Sequence, residues 1–210
     1  MILKSDIIKM IHDMADIIIE NEVLFCEFDS VAGDGDFGMS ISKGFKQLLS
    51  QWSELSQETI GSFLSDCSEV ISEYCGGASG PIWGSAFRGA SKFAADKVEL
   101  NTLEFAEMME SAALAIQKRG KAERGDKTLL DALLPCVDAL KESADAGSSV
   151  EICLENGAKA AVEGAELTKT MVASKGRASY VGERSLEHPD AGAMALGIIF
   201  THLSNGFKNR

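Results

Sequence analysis

The sequence predicts an all-α domain of about eight helices, running up and down as one unit over residues 1–210. Three observations carry that reading. Apolar residues recur at helical spacing in segment after segment, and no stretch shows sustained two-residue alternation or an Asn-Gly hairpin turn. Abundant Ala and Leu with only 3 prolines favour helix. The connections are mostly short, which makes neighbours in sequence antiparallel neighbours in space.

Ile7, Ile8, Ile11, Met14, Ala15, Ile18 and Ile19 form the first stripe, over a helix from about Ser5, as its N-cap, to about Glu20. His12 falls off that stripe and reads as a surface residue. Ile41, Phe45, Leu48, Leu49 and Trp52 make a second helix. Ile60, Phe63, Leu64, Cys67, Val70, Ile71 and Tyr74 make a third. Pro81 is expected as the first residue of the fourth, where its missing N–H is no loss. Phe105, Met109, Ala112, Ala113 and Ile116 place a fifth, ended by Gly120. The sixth carries Leu129, Leu130, Leu133, Leu134, Val137 and Leu140, with a kink expected at Pro135. Ala158, Ala161, Val162 and Ala165 give a small-faced seventh helix. Pro189 precedes the eighth, with Ala193, Leu196, Ile199, Phe200 and Leu203 turned inward.

Composition narrows the function classes. Hydrophobic residues at 45% and charged residues at 25% are ordinary for a soluble globular protein. The N-terminal segment carries Asp6, Asp13, Asp16 and Glu20 and is no secretory signal. The apolar run Ala191 to Phe200 is too short to span a bilayer. Cys26, Cys67, Cys75, Cys136 and Cys153 lack metal-site or redox spacing, so they read as reduced packing residues of a cytoplasmic protein. A net charge of −12 argues against nucleic acid and anionic membranes as partners. Two loops run against it: Gln117 to Lys127 and Lys169 to Arg184 are both locally basic. That balance suits a small anionic ligand.

The glycine-rich loops supply the chemistry. In Asp29-Ser30-Val31-Ala32-Gly33-Asp34-Gly35-Asp36-Phe37-Gly38, three carboxylates fall within eight residues of a chain that glycine lets turn tightly. Converging carboxylates call for a cation, and all-oxygen ligation suits Mg²⁺ shared with a phosphate; the plain alternative is a solvated Asx/Gly turn. Gly76-Gly77-Ala78-Ser79-Gly80 before Pro81 offers backbone N–H groups at a helix N-terminus, a phosphate cradle or else a flexible connector. These two loops and the two basic loops occupy alternate helix junctions. In an up-and-down topology alternate junctions share one end. Gly120 to Thr128 is a near miss to a Walker A loop, rejected because no strand precedes it, and an EF-hand reading fails because no Glu stands twelfth from Asp34.

Taken together, Gly33-Asp34-Gly35-Asp36, Gly76 to Pro81, Arg119-Gly120-Lys121-Ala122, Gly125-Asp126-Lys127-Thr128, Lys175 to Tyr180, Gly182 to Ser185 and His188-Pro189-Asp190 resemble the L subunits of bacterial dihydroxyacetone kinases over nearly the whole chain. The resemblance implies an eight-helix antiparallel barrel with a nucleotide site at one end. It implies ADP or ATP held through two Mg²⁺ ions on Asp29, Asp34 and Asp36. Phosphates would lie over Phe37, Gly38, Met39, Ser40, Ala78 and Ser79, with adenosine against Gly120, Leu129, Arg177 and the turn Asp190-Ala191-Gly192. It further implies a partner K subunit carrying the triose and a phosphotransferase-system protein that rephosphorylates bound ADP. A homodimer is also open.

Two departures from the family stand out. Phe37-Gly38-Met39-Ser40 replaces the family's His-Gly-x-Asn, so no acid, base or phosphate donor is expected from position 37. Asp190-Ala191-Gly192 replaces Asp-Pro-Gly. Arg177 is expected to contact the ligand, Lys127 and Arg184 to do so or to form salt bridges, and Tyr180 and His188 to pack or orient their loop. Alongside phosphoryl transfer to dihydroxyacetone stand two other readings. One is an ATP-dependent two-subunit kinase for another short ketose. The other is a non-catalytic nucleotide-loaded module that signals to a regulator.

Overall fold

The computed structural model describes residues 1–208, and all but a few ordered segments are helical. The helices are α1 (Lys4–Glu20), α2 (Glu22–Ser30), α3 (Phe37–Ser50), α4 (Ile60–Tyr74), α5 (Ser79–Ala94), α6 (Thr102–Gly120), α7 (Leu130–Asp145), α8 (Val150–Leu167) and α9 (Ala191–Lys208). The all-α expectation holds. Strand structure among the described residues is one antiparallel pair, Ile2–Leu3 with Glu99–Leu100.

Three element expectations shift. The first rod is broken at Asn21, whose backbone and side-chain N–H groups both bond the Ile17 carbonyl and end α1. The chain resumes at once as α2, a segment without a full apolar stripe in the sequence. Ser5 is not the N-cap: the Asp6 carboxylate accepts the Leu3 N–H at 2.9 Å, so the helix starts one residue before Ser5. α5 begins at Ser79, so Pro81 is its third residue. First-turn N–H groups have no intrahelical acceptor, and proline is tolerated there as well. Pro135 does lie inside α7.

Packing follows chain order. From α3 through α9 each helix lies against the next, and α9 returns to α1 and α2. The buried faces supply one continuous core, with Phe25, Phe45, Phe63, Ile18, Ile41, Ile71, Leu130 and Ile199 fully enclosed. Burial of this kind contributes about 1.5–3 kcal/mol for each large apolar side chain. The cysteines are free thiols, four of them buried, and burial pushes Cys75 and Cys136 up to about 12, away from thiolate chemistry. No described helix is long and apolar enough to cross a membrane.

The connections divide between two ends. α3, α5, α7 and α9 begin at one end, where α2, α4, α6 and α8 finish. Met1 and Phe207 lie at the other, beside Asn101 and the Ser148-Ser149 turn.

Candidate functional site

The end where α3, α5, α7 and α9 begin encloses a cleft of about 370 Å³. Asp29 closes α2, Asp34 stands in the turn and Asp36 precedes α3. One carboxylate oxygen from each of the three lies within 4.8 Å of the others. The loop is shaped for this. The Asp36 N–H donates to Asp29 Oδ2 (3.2 Å), the Gly33 N–H to the Asp29 carbonyl (2.7 Å) and the Ser40 hydroxyl to Asp36 Oδ1 (3.4 Å). A Cβ on Gly33 would stand 2.1 Å from Asp29 Oδ1, so only glycine lets the turn close over that carboxylate. Three carboxylates at this spacing repel one another, and an all-oxygen set fits a hard divalent cation such as Mg²⁺.

The glycine loop before α5 faces the aspartates across the cleft. Its Gly76 N–H donates to the Ser40 carbonyl at 2.9 Å, which fastens the two loops together. The N–H groups of Gly77 and Ala78 have no protein acceptor among the described residues and stand at the positive end of α5. Ile82, Trp83, Ile116 and Leu129 form an apolar wall deeper in. Polar groups at the mouth and an apolar wall behind are what a ligand with a phosphate end and a flat base requires.

The remaining rim comes from the two basic loops. Arg177 pairs with Asp34, and Lys175, Gly176 and Ala178 line the same side. Asp190 caps α9, its Oδ1 accepting the Ala193 N–H at 2.8 Å. Burial pushes its carboxyl up to about 7; the Ala193 N–H and Lys127 act against the rise, and Asp131 and Asp29 add to it.

Of the residues singled out in sequence, Asp29, Asp34, Asp36, Phe37, Ser40, Ala78, Ser79, Gly120, Leu129, Arg177, Asp190, Ala191 and Gly192 all line the cleft. Gly38 and Met39 do not. Gly38 lies where α3 crosses α2, and a Cβ there would stand 1.9 Å from the Glu22 carbonyl oxygen. Met39 is 56% exposed on the outer side. Lys127 forms neither a surface salt bridge nor a free cation: its Nζ donates to the carbonyls of Met171 (3.0 Å), Ser185 and His188 (2.8 Å). Tyr180 is 87% exposed, and His188 takes part through its backbone.

Sequence reading missed Asp131. This buried carboxylate accepts the Gly125 N–H at 2.5 Å and the Thr128 N–H at 2.8 Å, folding the loop before α7. The available signal is Thr128-Leu129-Leu130-Asp131, the spacing of a helix-start capping box.

Residues 31–205 match the DAK2 domain model. The chain is 33% identical over 205 residues to the ADP-binding subunit DhaL of the PEP-dependent dihydroxyacetone kinase of Escherichia coli K12, covering 98% of each chain. It is 31% identical to the L-erythrulose kinase of Pectobacterium atrosepticum, spanning 32% of that protein's length. Among solved structures, the dihydroxyacetone kinase of C. freundii in complex with AMP-PNP and Mg²⁺ superposes with a TM-score of 0.77 at 21% identity, over 95% of this chain and 33% of that one. At that identity the superposition speaks for the fold. The family match and the full-length relatives place the chain in the DAK2 domain family, that of the dihydroxyacetone kinase L subunits.

Proposed function

We propose that this protein is the nucleotide-binding subunit of a cytoplasmic two-subunit kinase, serving phosphoryl transfer to dihydroxyacetone or a similar short hydroxyketone held by a partner K subunit. The observation that carries the reading is the facing pair of loops: three carboxylates on one side, and unpartnered N–H groups at a helix start on the other. Asp29, Asp34 and Asp36 would hold two Mg²⁺ ions, which when bound neutralise polyphosphate charge and draw its oxygens into line for transfer. Gly77, Ala78 and Ser79 receive the phosphates, while Ile82, Trp83, Ile116 and Leu129 take the base and exclude water from it. The chain offers no general base at position 37, so proton removal from the acceptor hydroxyl falls to the partner that holds the ketone. The transferred group becomes a phosphate ester on that hydroxyl and leaves ADP behind. ADP remains in the cleft and is rephosphorylated there by a phosphotransferase-system protein, a reading supported by the similarity to the ADP-binding subunits of the PEP-dependent E. coli and PTS-dependent Lactococcus lactis kinases.

Native mass spectrometry tests this. The purified protein should carry a mass increment of ADP with Mg²⁺ that survives ordinary dialysis and is lost with chelator. An empty protein that takes up ATP with Mg²⁺ would instead support exchange and an ATP-dependent kinase. Binding neither nucleotide would remove the catalytic reading.

A further inference from the structure

We propose that Lys127 is a positioning residue of the cleft: its buried ammonium gathers the strap formed by residues 171–188 and thereby sets where Arg177 stands. Lys127 is only 2% exposed although it lines the cleft. All three of its N–H donors go to backbone carbonyls of the strap, those of Met171, Ser185 and His188, which lie at the strap's two ends. An ammonium has three donors and no acceptor. With all three engaged, none is left for a phosphate.

The surrounding bonds run in one direction. Asp131 of α7 fixes the Gly125 and Thr128 N–H groups on either side of Lys127. The neighbouring Asp126 accepts from the Ser174 hydroxyl, and its carbonyl from the Ser174 N–H at 3.2 Å. Within the strap the Ser185 hydroxyl receives the Ala173 N–H at 3.0 Å, and the Glu187 N–H reaches back to the carbonyl of Lys169, just before the strap, at 2.9 Å. Drawn together in this way, the middle of the strap carries Arg177 to Asp34. The backbone of Lys127 is itself left-handed, at φ 59°. A side chain with a Cβ bears a cost in that region that glycine would not. A position needed only for its turn would have no use for lysine. The cost is explained by the direction it gives the side chain, inward beneath the strap.

The inference rests on the nucleotide reading above for its effect on binding, but not for its effect on the strap. Hydrogen exchange of the nucleotide-free protein and calorimetric ADP·Mg²⁺ affinity are measured for the wild type, Lys127→Met, Arg177→Ala and the double variant. Lys127→Met should raise exchange across 171–188 and leave the core of α3 to α6 protected. It should weaken binding roughly tenfold to a hundredfold, as loss of a residue that orients direct ligands does. The Lys127 and Arg177 effects should be strongly non-additive, because one acts through the other. Weakened binding with an unchanged strap, or additive effects, would mean that Lys127 meets the nucleotide itself and would overturn the proposal. A wild type that fails to bind nucleotide sinks the functional reading alone, since strap exchange still reports on Lys127. Should Lys127→Met not fold, lysine acetylation of the wild type read by mass spectrometry decides: Lys127 stays unlabelled while Lys175 reacts, and rapid labelling of Lys127 refutes the clamp.

Discussion

Phe37 begins α3 at the rim of the cleft with its ring 6.2 Å from that of Phe25, so it packs and carries no proton. At the same end Asp190 has a displaced titration, raised by burial from 3.8 to about 7. A carboxyl whose folded pKa is raised is protonated in the folded state where the unfolded chain has already ionised. Its stabilising contribution is complete below about pH 4 and is lost as pH rises through about 7. In metal-free protein, urea unfolding from acid to neutral pH should therefore show stability falling more in the wild type than in Asp190→Asn. Asparagine keeps the bond to the Ala193 N–H, so equal slopes would show that Asp190 ionises normally. Spacing made the aspartate cluster legible in sequence, because glycine lets three acids within eight residues converge, although the same spacing also fits a solvated turn. Lys127 was not legible. Its role depends on carbonyls 44 to 61 residues away, and backbone acceptors have no sequence signature.

At the scale of elements, helix periodicity located every long helix but α5, which Pro81 marked as a helix start, and missed α2. Nine residues of Glu-Val-Leu-Phe-Cys-Glu-Phe-Asp-Ser bury one side chain fully, Phe25, and show no full stripe. The missing helix did not disturb the reasoning about ends, since α1 and α2 are parted only by Asn21 and act as one bent rod. The start of α9 invites a test. Asp190 is its cap and Ala191 its first residue, the place where proline's fixed φ suits a helix and its absent N–H costs nothing. Ala191→Pro, which restores the family's Asp-Pro-Gly turn, should stabilise the protein by about 0.4–1 kcal/mol through the unfolded chain. A rise in melting temperature without loss of ligand binding would confirm it; a fall would show that the Ala191 N–H is engaged.

For the whole molecule, four helix starts meet four loops that are polar or glycine-rich, and the hydrophobic core ends beneath them. A ligand there touches segments from Asp29 to Gly192. Binding should stabilise the fold as a unit, by about 2.7 kcal/mol when ADP with Mg²⁺ is at a hundred times its dissociation constant. Thermal melts should move upward only when both are present and return on chelation; an unchanged midpoint would mean that the loops do not close on ligand. Alternation of junctions made this convergence legible from sequence, because it needs only helix order. Which loop side chains point inward was not, since Gly38 and Met39 lie beside Ser40 in sequence and face elsewhere. The placement of Met1 and Phe207 at the end away from the cleft has a consequence for construction. A tether joined at either residue leaves the cleft mouth open to a docking protein. The same helical unit can thus serve as a separate subunit or as about a third of a longer chain, the two arrangements found among its relatives.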